Sequence, residues 1–385
     1  MAIYTIKTGC LAGSLDTGGR KIVRGSNGVL HVVYHRLETV NNIFHSYSSD
    51  GGVTWTEEAI TTDVVHNQQK ASVAIDSNDV LHVVWECETD GYTKICYSKR
   101  NLSWSSPLDL SNDASYDQAT ASIAIDSSNR IFVVWAGNGA NGWKIKYSIF
   151  SVSWTSPADI PGQQIGAWYN YYNACPSLAI DDSSNRVCVV WNGFWTGGAD
   201  NQIQYSIYTS AWSNAAVITS ENYDQMYAHI AFASNGDALV VWHGKSSRNT
   251  TANQIQFSRY TSSWSTPIDL SSSAYDQACA TIAVDSLDNI YVVWFQYGNQ
   301  IKYTKYTVST GSWSAAVSKT TGTSYKWHPY IMWQNQIYSI PTTGYCFVYM
   351  DDTTLKFYVE ATLYVKPFIR SFPWVGKFSL SHVTA

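Results

Sequence analysis

The sequence predicts an all-β chain folded as a seven-bladed β-propeller of four-stranded antiparallel blades, and three observations lead to that prediction. A stretch such as YDQATASIAIDSSNRIFVVW recurs along the 385-residue chain. Each copy holds two short runs that alternate apolar with small or polar residues, and two further runs follow before the next copy. Such alternation, rich in β-branched and aromatic residues, indicates strands. Four strands in a repeat of roughly fifty residues are typical of a propeller blade.

The copies of the recurring stretch set the number of blades. Five clear copies begin at His66, Tyr116, Tyr171, Tyr223 and Tyr275. A weaker copy begins at Arg20 and a strongly diverged one at His328. In most copies a turn of the Asp-Ser-Xaa-Asn kind separates the two runs, and these residues satisfy backbone groups in turns. Seven copies therefore predict seven blades.

The third and fourth strands follow each copy. The third has the form KIKYSIF or NQIQFSRY, and the fourth begins at a tryptophan in six repeats, namely Trp55, Trp104, Trp154, Trp212, Trp264 and Trp313. Counting back from the first repeat at the spacing seen elsewhere places Tyr4 at this tryptophan position. We therefore expect MAIYTIKTG to be the fourth strand of the last blade, which closes the ring and leaves no open sheet edge.

The repeat also predicts the domain organisation. Blade boundaries fall near 18–62, 63–112, 113–162, 163–220, 221–272, 273–322 and 323–361. One propeller domain then spans residues 1–361, with residues 1–10 completing blade 7. Residues 362–385 form a C-terminal extension with two prolines, several aromatic residues and three basic residues. We expect a strap over the propeller, with a docking tail for a protein partner through residues 364–385 as the alternative.

Composition narrows the classes of ligand. Charged residues make up 14% of the chain, well below the roughly 25% typical of globular proteins, and the net charge is −5. A nucleic-acid binder needs a basic face, so nucleic acid is not an expected partner. No run of 18 apolar residues occurs, so no membrane insertion is expected. Eleven of the 17 tryptophans occupy two repeat positions and should pack between blades. The tryptophans outside these two positions, which a ligand could contact, are Trp143, Trp168, Trp195, Trp327, Trp333 and Trp374.

Cysteine and histidine usage gives no sign of a metal site or a cofactor. The seven cysteines show neither a disulfide framework nor a Cys-Xaa-Xaa-Cys pattern. Most are expected to be free and buried, and a bond between Cys87 and Cys96, which flank one hairpin loop, is left open. His31 and His82 share a repeat position and are expected to be core histidines. The N-terminus lacks the features of a signal peptide, yet a polar, aromatic propeller suggests an extracellular or virion-surface protein.

The turn between the third and fourth strands of blade 1 carries a family resemblance. It reads SSDGGVTW, with Ser48, Asp50, Gly52, Thr54 and Trp55 at the motif positions. This motif resembles the Asp-box of the sialidase-like, or BNR-repeat, propellers. The resemblance implies a structural turn on the face opposite the active site, and it implies a protein that handles glycans.

The resemblance also implies where chemistry would occur. Sialidases of this group hold a carboxylate with three arginines, whereas the nine arginines here are scattered and Arg20 precedes Lys21-Ile22 rather than Ile-Pro. Similar propellers that act as polysaccharide lyases use His, Tyr and Arg, because a base removes the proton next to a carboxylate that a cation holds. The candidate catalytic set in the central funnel is Arg20, His66, Lys70, Tyr227, His229 and Tyr330. The alternative is that these residues are polar filling.

A ligand face is expected where the loops before the first strand and after the second strand meet. Three Tyr-Asp-Gln triplets open first strands there: Tyr116, Asp117, Gln118; Tyr223, Asp224, Gln225; and Tyr275, Asp276, Gln277. The loops after the second strands carry Trp143, Phe194, Trp195, His243 and Tyr297. Aromatic rings and amides are the groups that bind sugars. The alternatives are bonds between blades for the triplets and loops packed on themselves for the aromatic residues.

These observations favour a carbohydrate-recognising propeller, because composition suits sugar binding and no complete catalytic set is visible. The alternative is a glycan-cleaving enzyme, either a polysaccharide lyase or a sialidase-like glycoside hydrolase, with its site in the central funnel. A structural or interaction scaffold is the third possibility.

Overall fold

Seven antiparallel sheets form the molecule, and each sheet is one blade of a propeller. The computed structural model describes residues 2–10, 19–89, 91–113, 115–140, 142–163, 174–195, 200–332 and 345–360. Within these ranges the chain consists of strands and turns, and it contains no helix long and apolar enough to cross a membrane. The predicted fold class is confirmed. Residues 362–385 lie outside the described ranges, so both interpretations of the extension stay predictions.

The strands follow the repeat in chain order. Blade 7 takes its fourth strand from β1 (Ala2–Thr8). Blade 1 contains β2 (Ile22–Arg24), β3 (Leu30–Leu37), β4 (Asn41–Ser48) and β5 (Thr56–Ala59). Blade 2 contains β6 (Gln68–Ile75), β7 (Leu81–Thr89), β8 (Tyr92–Arg100) and β9 (Leu108–Asp109). Blade 3 contains β10 (Gln118–Ile125), β11 (Ile131–Gly137), β12 (Lys144–Phe150) and β13 (Ala158–Asp159).

The remaining blades continue the same order. Blade 4 contains β14 (Ser177–Asp181), β15 (Arg186–Phe194), β16 (Asn201–Tyr208) and β17 (Ala216–Val217). Blade 5 contains β18 (Gln225–Phe232), β19 (Ala238–Ser246), β20 (Asn249–Tyr260) and β21 (Ile268–Asp269). Blade 6 contains β22 (Gln277–Val284), β23 (Ile290–Gln296), β24 (Gln300–Thr307), β25 (Ser312–Trp313) and β26 (Val317–Ser318). Blade 7 begins with β27 (Lys326–Ile331), β28 (Cys346–Asp351) and β29 (Thr354–Val359).

The N-terminal strand closes the ring, as predicted. Strand β1 pairs antiparallel with β29 from Ala2 opposite Val359 to Thr8 opposite Thr354. The predicted register was wrong, however. Tyr4 lies opposite Phe357. The equivalent position in the fourth strand of blade 2 is occupied by Leu108, which follows Trp104 in the sequence. Tyr4 therefore does not occupy the tryptophan position. The error arose because β1 carries no tryptophan to fix the count.

The core lies between neighbouring blades rather than at one centre. The tryptophans that end the second strands are fully buried, and Trp242 packs with Ala179 and Val190 of the preceding blade. Burying an aromatic side chain removes about 150–250 Å² from water, which stabilises the fold by several kcal/mol at about 25 cal/mol per Å². Four of these indoles donate Nε1–H to the first-strand glutamine of their own blade: Trp85 to Gln68, Trp135 to Gln118, Trp242 to Gln225 and Trp294 to Gln277.

The turns between the first and second strands link the blades on the bottom face, opposite the loops that precede the first strands. A serine of one turn bonds an Asp or Asn of the next turn: Ser26 to Asp79, Ser77 to Asn129, Ser127 to Asn185 and Ser234 to Asp288. All four acceptor residues have positive φ angles, from 53° to 60°. Asn and Asp tolerate this conformation better than other non-glycine residues. The repeated turn sequence therefore joins neighbouring blades as well as satisfying its own backbone.

The turn from Ser48 to Trp55 is organised by one carboxylate. Asp50 Oδ1 accepts from the Ser48 hydroxyl at 2.7 Å and from the Val53 N–H at 3.0 Å, and Asp50 Oδ2 accepts from the Thr54 hydroxyl at 2.6 Å. Burial raises the pKa of Asp50, but these hydrogen bonds outweigh it and lower the pKa to about 2. The Trp55 ring packs at 5.4 Å against Phe357 of blade 7, so the turn supports the closure of the ring.

We expect Gly52→Ala to destabilise the protein by about 2–4 kcal/mol. Gly52 has φ +94°, and a Cβ atom there would overlap the Phe357 ring. Gly91→Ala is the matched control, because Gly91 has φ +86° with nothing within 4 Å of the added atom. That control should cost only about 1 kcal/mol. Urea unfolding measures both values, and equal losses would show that the Phe357 contact is unimportant.

Candidate functional site

The Tyr-Asp-Gln triplets lie on the top face, where the loops before the first strands and after the second strands meet. Their glutamines are buried and bonded to the tryptophans described above. Their aspartates accept a backbone N–H from the third strand of the preceding blade: Asp117 from Thr93, Asp224 from Asn201 and Asp276 from Asn253, at 2.7–2.9 Å. Tyr116 and Tyr223 are half-buried, and Tyr275 is 62% exposed. The Asp side chains thus hold neighbouring blades together, the Gln side chains join strands within their own blade, and the tyrosines face outward.

A left-handed bulge interrupts the first strand of five blades at the same repeat position. The residues there have φ angles of 44–54°: Lys70, Thr120, Tyr227, Cys279 and His328. Strand pairing slips at each bulge, for example between Met226 and His229. A positive φ is uncommon for residues other than glycine, and such strain persists only where the surroundings hold it. This bulge was not predicted from the sequence.

The preceding blade holds four of the five bulges in place. In each case the bulge N–H donates to the side chain that follows the buried Tyr or Trp of the neighbouring second strand: Lys70 to His35, Thr120 to Glu86, Tyr227 to Asn192 and Cys279 to His243. The distances are 2.7–3.4 Å. A polar residue directly after an apolar strand is the sequence signal that indicates these acceptors.

Three of the bulge residues converge on a pocket shared by blades 5, 6 and 7. Its walls are Tyr227, Ala228, His229, Cys279, Ala280, Thr281, His328 and Tyr330. The His243 ring stacks on Tyr227 with centroids 5.5 Å apart. The enclosed space is about 20 Å³, enough for a water molecule or a single hydroxyl group. The structure thus brings together Tyr227, His229 and Tyr330 of the predicted catalytic set.

Hydrogen bonding fixes the tautomers of two histidines at this pocket. His229 Nδ1 accepts the Ile282 N–H at 3.4 Å, and His243 Nδ1 accepts the Cys279 N–H at 3.4 Å. Burial lowers the pKa of His229 to about 3 and that of His243 to about 4. Both rings are therefore neutral near pH 7, with the proton on Nε2. Each presents a hydrogen-bond donor rather than a basic lone pair.

The other residues of the predicted catalytic set lie apart from the pocket walls. Arg20 is buried and donates Nη2–H to the Leu178 carbonyl of blade 4 at 3.3 Å. Burial lowers the pKa of its guanidinium to about 9, against the opposing effect of Asp182. Lys70 is buried and paired with Glu86 at 3.0 Å. His66 is on the surface, with its side chain 41% exposed and its Nδ1 3.7 Å from Asp63.

An aromatic row crosses the top of blades 6 and 7, and we define it as Tyr297, Phe295, Trp327 and Tyr325. Successive ring centroids lie 5.1, 5.1 and 4.8 Å apart. The two end residues are open to solvent, with Tyr297 46% and Tyr325 49% exposed. His328 joins the row to the pocket, since its ring stacks on Trp327 with centroids 6.2 Å apart. Trp327 was among the tryptophans left for a ligand, but its neighbours Tyr325 and Phe295 were not predicted.

The aromatic residues in the loops of blades 3 and 4 pack at the interface between these two blades, apart from the aromatic row. Trp143 and Trp195 are both partly buried and pack against one core between these blades, which includes Ile145 and Trp191. Phe194 ends β15 and is half-buried. Trp168, Trp333 and Trp374 lie outside the described residues.

The cysteines and the repeat-position histidines have structural environments. Cys87 and Cys96 form a disulfide within blade 2. Among the described cysteines outside this disulfide, Cys10, Cys175, Cys188 and Cys346 are buried thiols, and Cys279 is a half-buried thiol at the pocket. His82 Nδ1 is 2.8 Å from the Tyr97 hydroxyl, and His31 Nδ1 is 2.9 Å from His45 Nε2.

The fold resembles that of solved proteins whose names refer to carbohydrate, among them a lectin and two polysaccharide lyases. No protein-family model matches the sequence, and no curated protein matches it. Among solved structures, the BP39L lectin from Burkholderia pseudomallei matches with TM-score 0.66 and 13% identity, over 90% of this chain and 97% of the lectin. A family 25 ulvan lyase matches with TM-score 0.61 and 11% identity, over 92% and 94%. The polysaccharide lyase Uly1 matches with TM-score 0.55 and 7% identity, over 89% of each chain. These likenesses show a shared propeller fold.

Proposed function

We propose that the protein binds carbohydrate on its top face, with the sugar lying over the aromatic row and the mouth of the neighbouring pocket. The aromatic row carries this proposal, because it places two exposed tyrosine rings on either side of a half-buried tryptophan. Such rings pack against the C–H faces of sugars, and a few polar groups then fix the orientation. The names of the lectin and the two lyases that share the fold support this class of ligand.

The pocket supplies the polar groups. It admits one hydroxyl, which meets the Nε2–H donor of His229 and the hydroxyl of Tyr330. Neutral histidines with a fixed tautomer bind a hydroxyl without bringing a charge. The ligand therefore gains hydrogen bonds at the pocket and apolar contact along the row.

Binding fits the described residues better than cleavage does. A lyase needs a base beside the substrate, and His229 presents a proton to the pocket instead of a lone pair. It also needs a cation for the uronate carboxylate. Arg20 and Lys70, the cations of the predicted set, are buried and engaged with Leu178 and Glu86.

An extracellular setting is part of the proposal. The Cys87–Cys96 disulfide forms most readily in an oxidising compartment. Glycans of cell surfaces and extracellular matrices are then the accessible ligands.

We expect Tyr297→Ala and Tyr325→Ala each to weaken glycan binding about 3- to 10-fold, because each removes a stacking contact worth about 0.5–1.5 kcal/mol. Tyr92→Ala is the matched control, since Tyr92 is 39% exposed on the same face of blade 2 and lies outside the row. The measurement is binding of the purified protein to a panel of neutral, uronate and sialylated glycans. Equal effects of all three substitutions would place binding elsewhere.

The same panel tests the alternative of cleavage. Mass spectrometry of the soluble products should show intact glycans. Unsaturated ends would make the protein a lyase and hydrated ends a hydrolase, and His229→Gln would then be the first variant to assay.

A further inference from the structure

An open groove runs between the fourth strands of blades 5 and 6, on the outer side of the ring and away from the top-face pocket. Its volume is about 440 Å³, within the range of about 300–1,000 Å³ usual for small-molecule sites. The groove is lined by Arg248, Asn249, Asp269, Leu270, Ser271, Ser272, Trp313, Ser314, Ala315 and Ala316. None of these residues belongs to the aromatic row or to the pocket beside it.

One wall depends on an arginine from the long hairpin of blade 5. Strand β20 has 12 residues and begins at Asn249, so the hairpin between β19 and β20 is long. Arg248 lies in this hairpin, and its side chain contacts Asp269 of β21. Arg248 donates to Asp269 Oδ1 from Nε at 3.1 Å and from Nη2 at 2.9 Å, and Nη2 also donates to Gln256 at 2.8 Å. Glu221 lies 3.8 Å from Nη1. The guanidinium is thus held in one orientation before any ligand arrives.

The repeats show that this arrangement is particular to blade 5 among the blades with described pairs. In blades 2 and 3 the residue equivalent to Asp269 is paired with a lysine of its own third strand, Lys94 with Asp109 and Lys146 with Asp159. Blade 5 has glutamines at both of these lysine positions: Gln256, directly opposite Asp269, is equivalent to Lys146, and Gln254 is equivalent to Lys94. The cation comes instead from the hairpin, at the edge of the groove.

The other wall is open because blade 6 has small residues there. After the fourth-strand tryptophan, blades 2, 3 and 5 continue to a proline, at Pro107, Pro157 and Pro267, whereas blade 6 has Ala316 at that place. Ala315 and Ala316 are exposed, and the half-buried ring of Trp313 lies at the base. Arg248 of blade 5 and the two alanines of blade 6 therefore lie on opposite sides of the same groove.

We infer that this groove is a second ligand site, and that its ligand is a neutral sugar with adjacent hydroxyl groups. A guanidinium between two carboxylates offers donors and acceptors side by side, and a vicinal diol matches them because each hydroxyl both donates and accepts. One cation with Asp269 and Glu221 leaves a net negative charge, which disfavours an anionic sugar. Trp313 provides an apolar face for the ring. The inference does not rest on the top-face proposal.

The test uses the full chain with methyl glycosides of glucose, galactose, mannose and fucose, titrated by calorimetry. Ala316→Trp should fill the groove and abolish binding there, and Arg248→Gln should weaken it at least tenfold. Ala316→Ser is the control that keeps the groove open. The melting temperature of each variant checks folding, which exposed substitutions should leave intact.

The outcomes separate the two sites. Loss of one binding event in Ala316→Trp, with the event sensitive to Tyr325→Ala retained, supports the groove. Binding that responds only to Tyr325→Ala overturns the groove and leaves the top-face proposal standing, and the reverse result overturns the top face alone. Unchanged binding in both Ala316→Trp and Arg248→Gln overturns the groove, and so does a preference of the groove for methyl glucuronoside over the neutral glycosides.

Discussion

Deletion of residues 2–8 should lower the melting temperature by at least about 5 °C. The deletion removes the fourth strand of blade 7, its backbone pairing with β29 and the buried side chain of Ile6. It also removes Lys7, which pairs with Glu57 of blade 1 at 2.5 Å. A loss of at least about 5 kcal/mol follows, and each kcal/mol shifts the midpoint by about 2–4 °C in a chain of some 200 residues and by less in a longer one. Differential scanning calorimetry measures the change.

One buried isoleucine and one exposed isoleucine in this strand provide a matched pair of substitutions. Ile6 is 8% exposed and Ile3 is 43% exposed, so Ile6→Ser should cost several kcal/mol and Ile3→Ser less than 1 kcal/mol. A synthetic peptide of residues 1–10 should restore the midpoint of the truncated protein. An unchanged midpoint after the deletion would show that β1 does not close the ring.

Mild acid should destabilise the protein steeply between pH 6.5 and pH 4.5. Four buried histidines and the half-buried His31 have lowered pKa values, first because of burial. The pKa falls to about 3 for His31, His35 and His229 and to about 4 for His243, and it is also lowered for His45. An unfolded histidine takes up a proton below about pH 6.5, whereas the folded form does not until the pH approaches these values. The unfolded state therefore binds more protons in this window.

The sign and size of the effect follow from that difference. Stability is complete above about pH 7 and falls as the pH drops, by up to about 1.4 kcal/mol per pH unit for each histidine. Several kcal/mol should be lost by pH 5. Urea titrations at pH 7.5 to 4.5 measure the slope. His229→Gln should reduce this slope by about one proton. Stability that is flat from pH 7 to pH 5 would contradict the neutral, buried state of these rings.

The repeat allowed most of the fold to be predicted from the sequence. Strand number, blade number and ring closure depend on periodicity, and periodicity is local information that survives in five clear copies. The register of β1 could not be predicted in the same way, because Tyr4 carries none of the tryptophan signal that marks the other fourth strands. A shift in the register of a strand leaves its sequence pattern almost unchanged but alters every residue pair that it forms with the neighbouring strand.

The site was less predictable because it is built between repeats. Tyr297 was identified from its loop. The partners that make it part of a row are Phe295, on β23 of blade 6, and Trp327, on β27 of blade 7. The catalytic set was drawn from polar residues near first strands, and Arg20, Lys70 and His66 are not among the walls of the pocket that holds His229. Which residues face one another across the ring depends on the bulges, and no single repeat encodes that.

The left-handed bulge gives the propeller a use beyond its own ligand. Lys, Thr, Tyr, Cys and His all occupy that one backbone position, and in four of the five blades the neighbouring blade anchors the main chain there rather than the side chain. The scaffold therefore tolerates very different chemistry at five radially arranged points. A combinatorial library that varies Thr120, Tyr227, Cys279 and His328, and keeps Lys70 to pair with the buried Glu86, would change what the ring recognises while leaving its architecture alone, which makes this chain a suitable starting framework for engineered binding proteins.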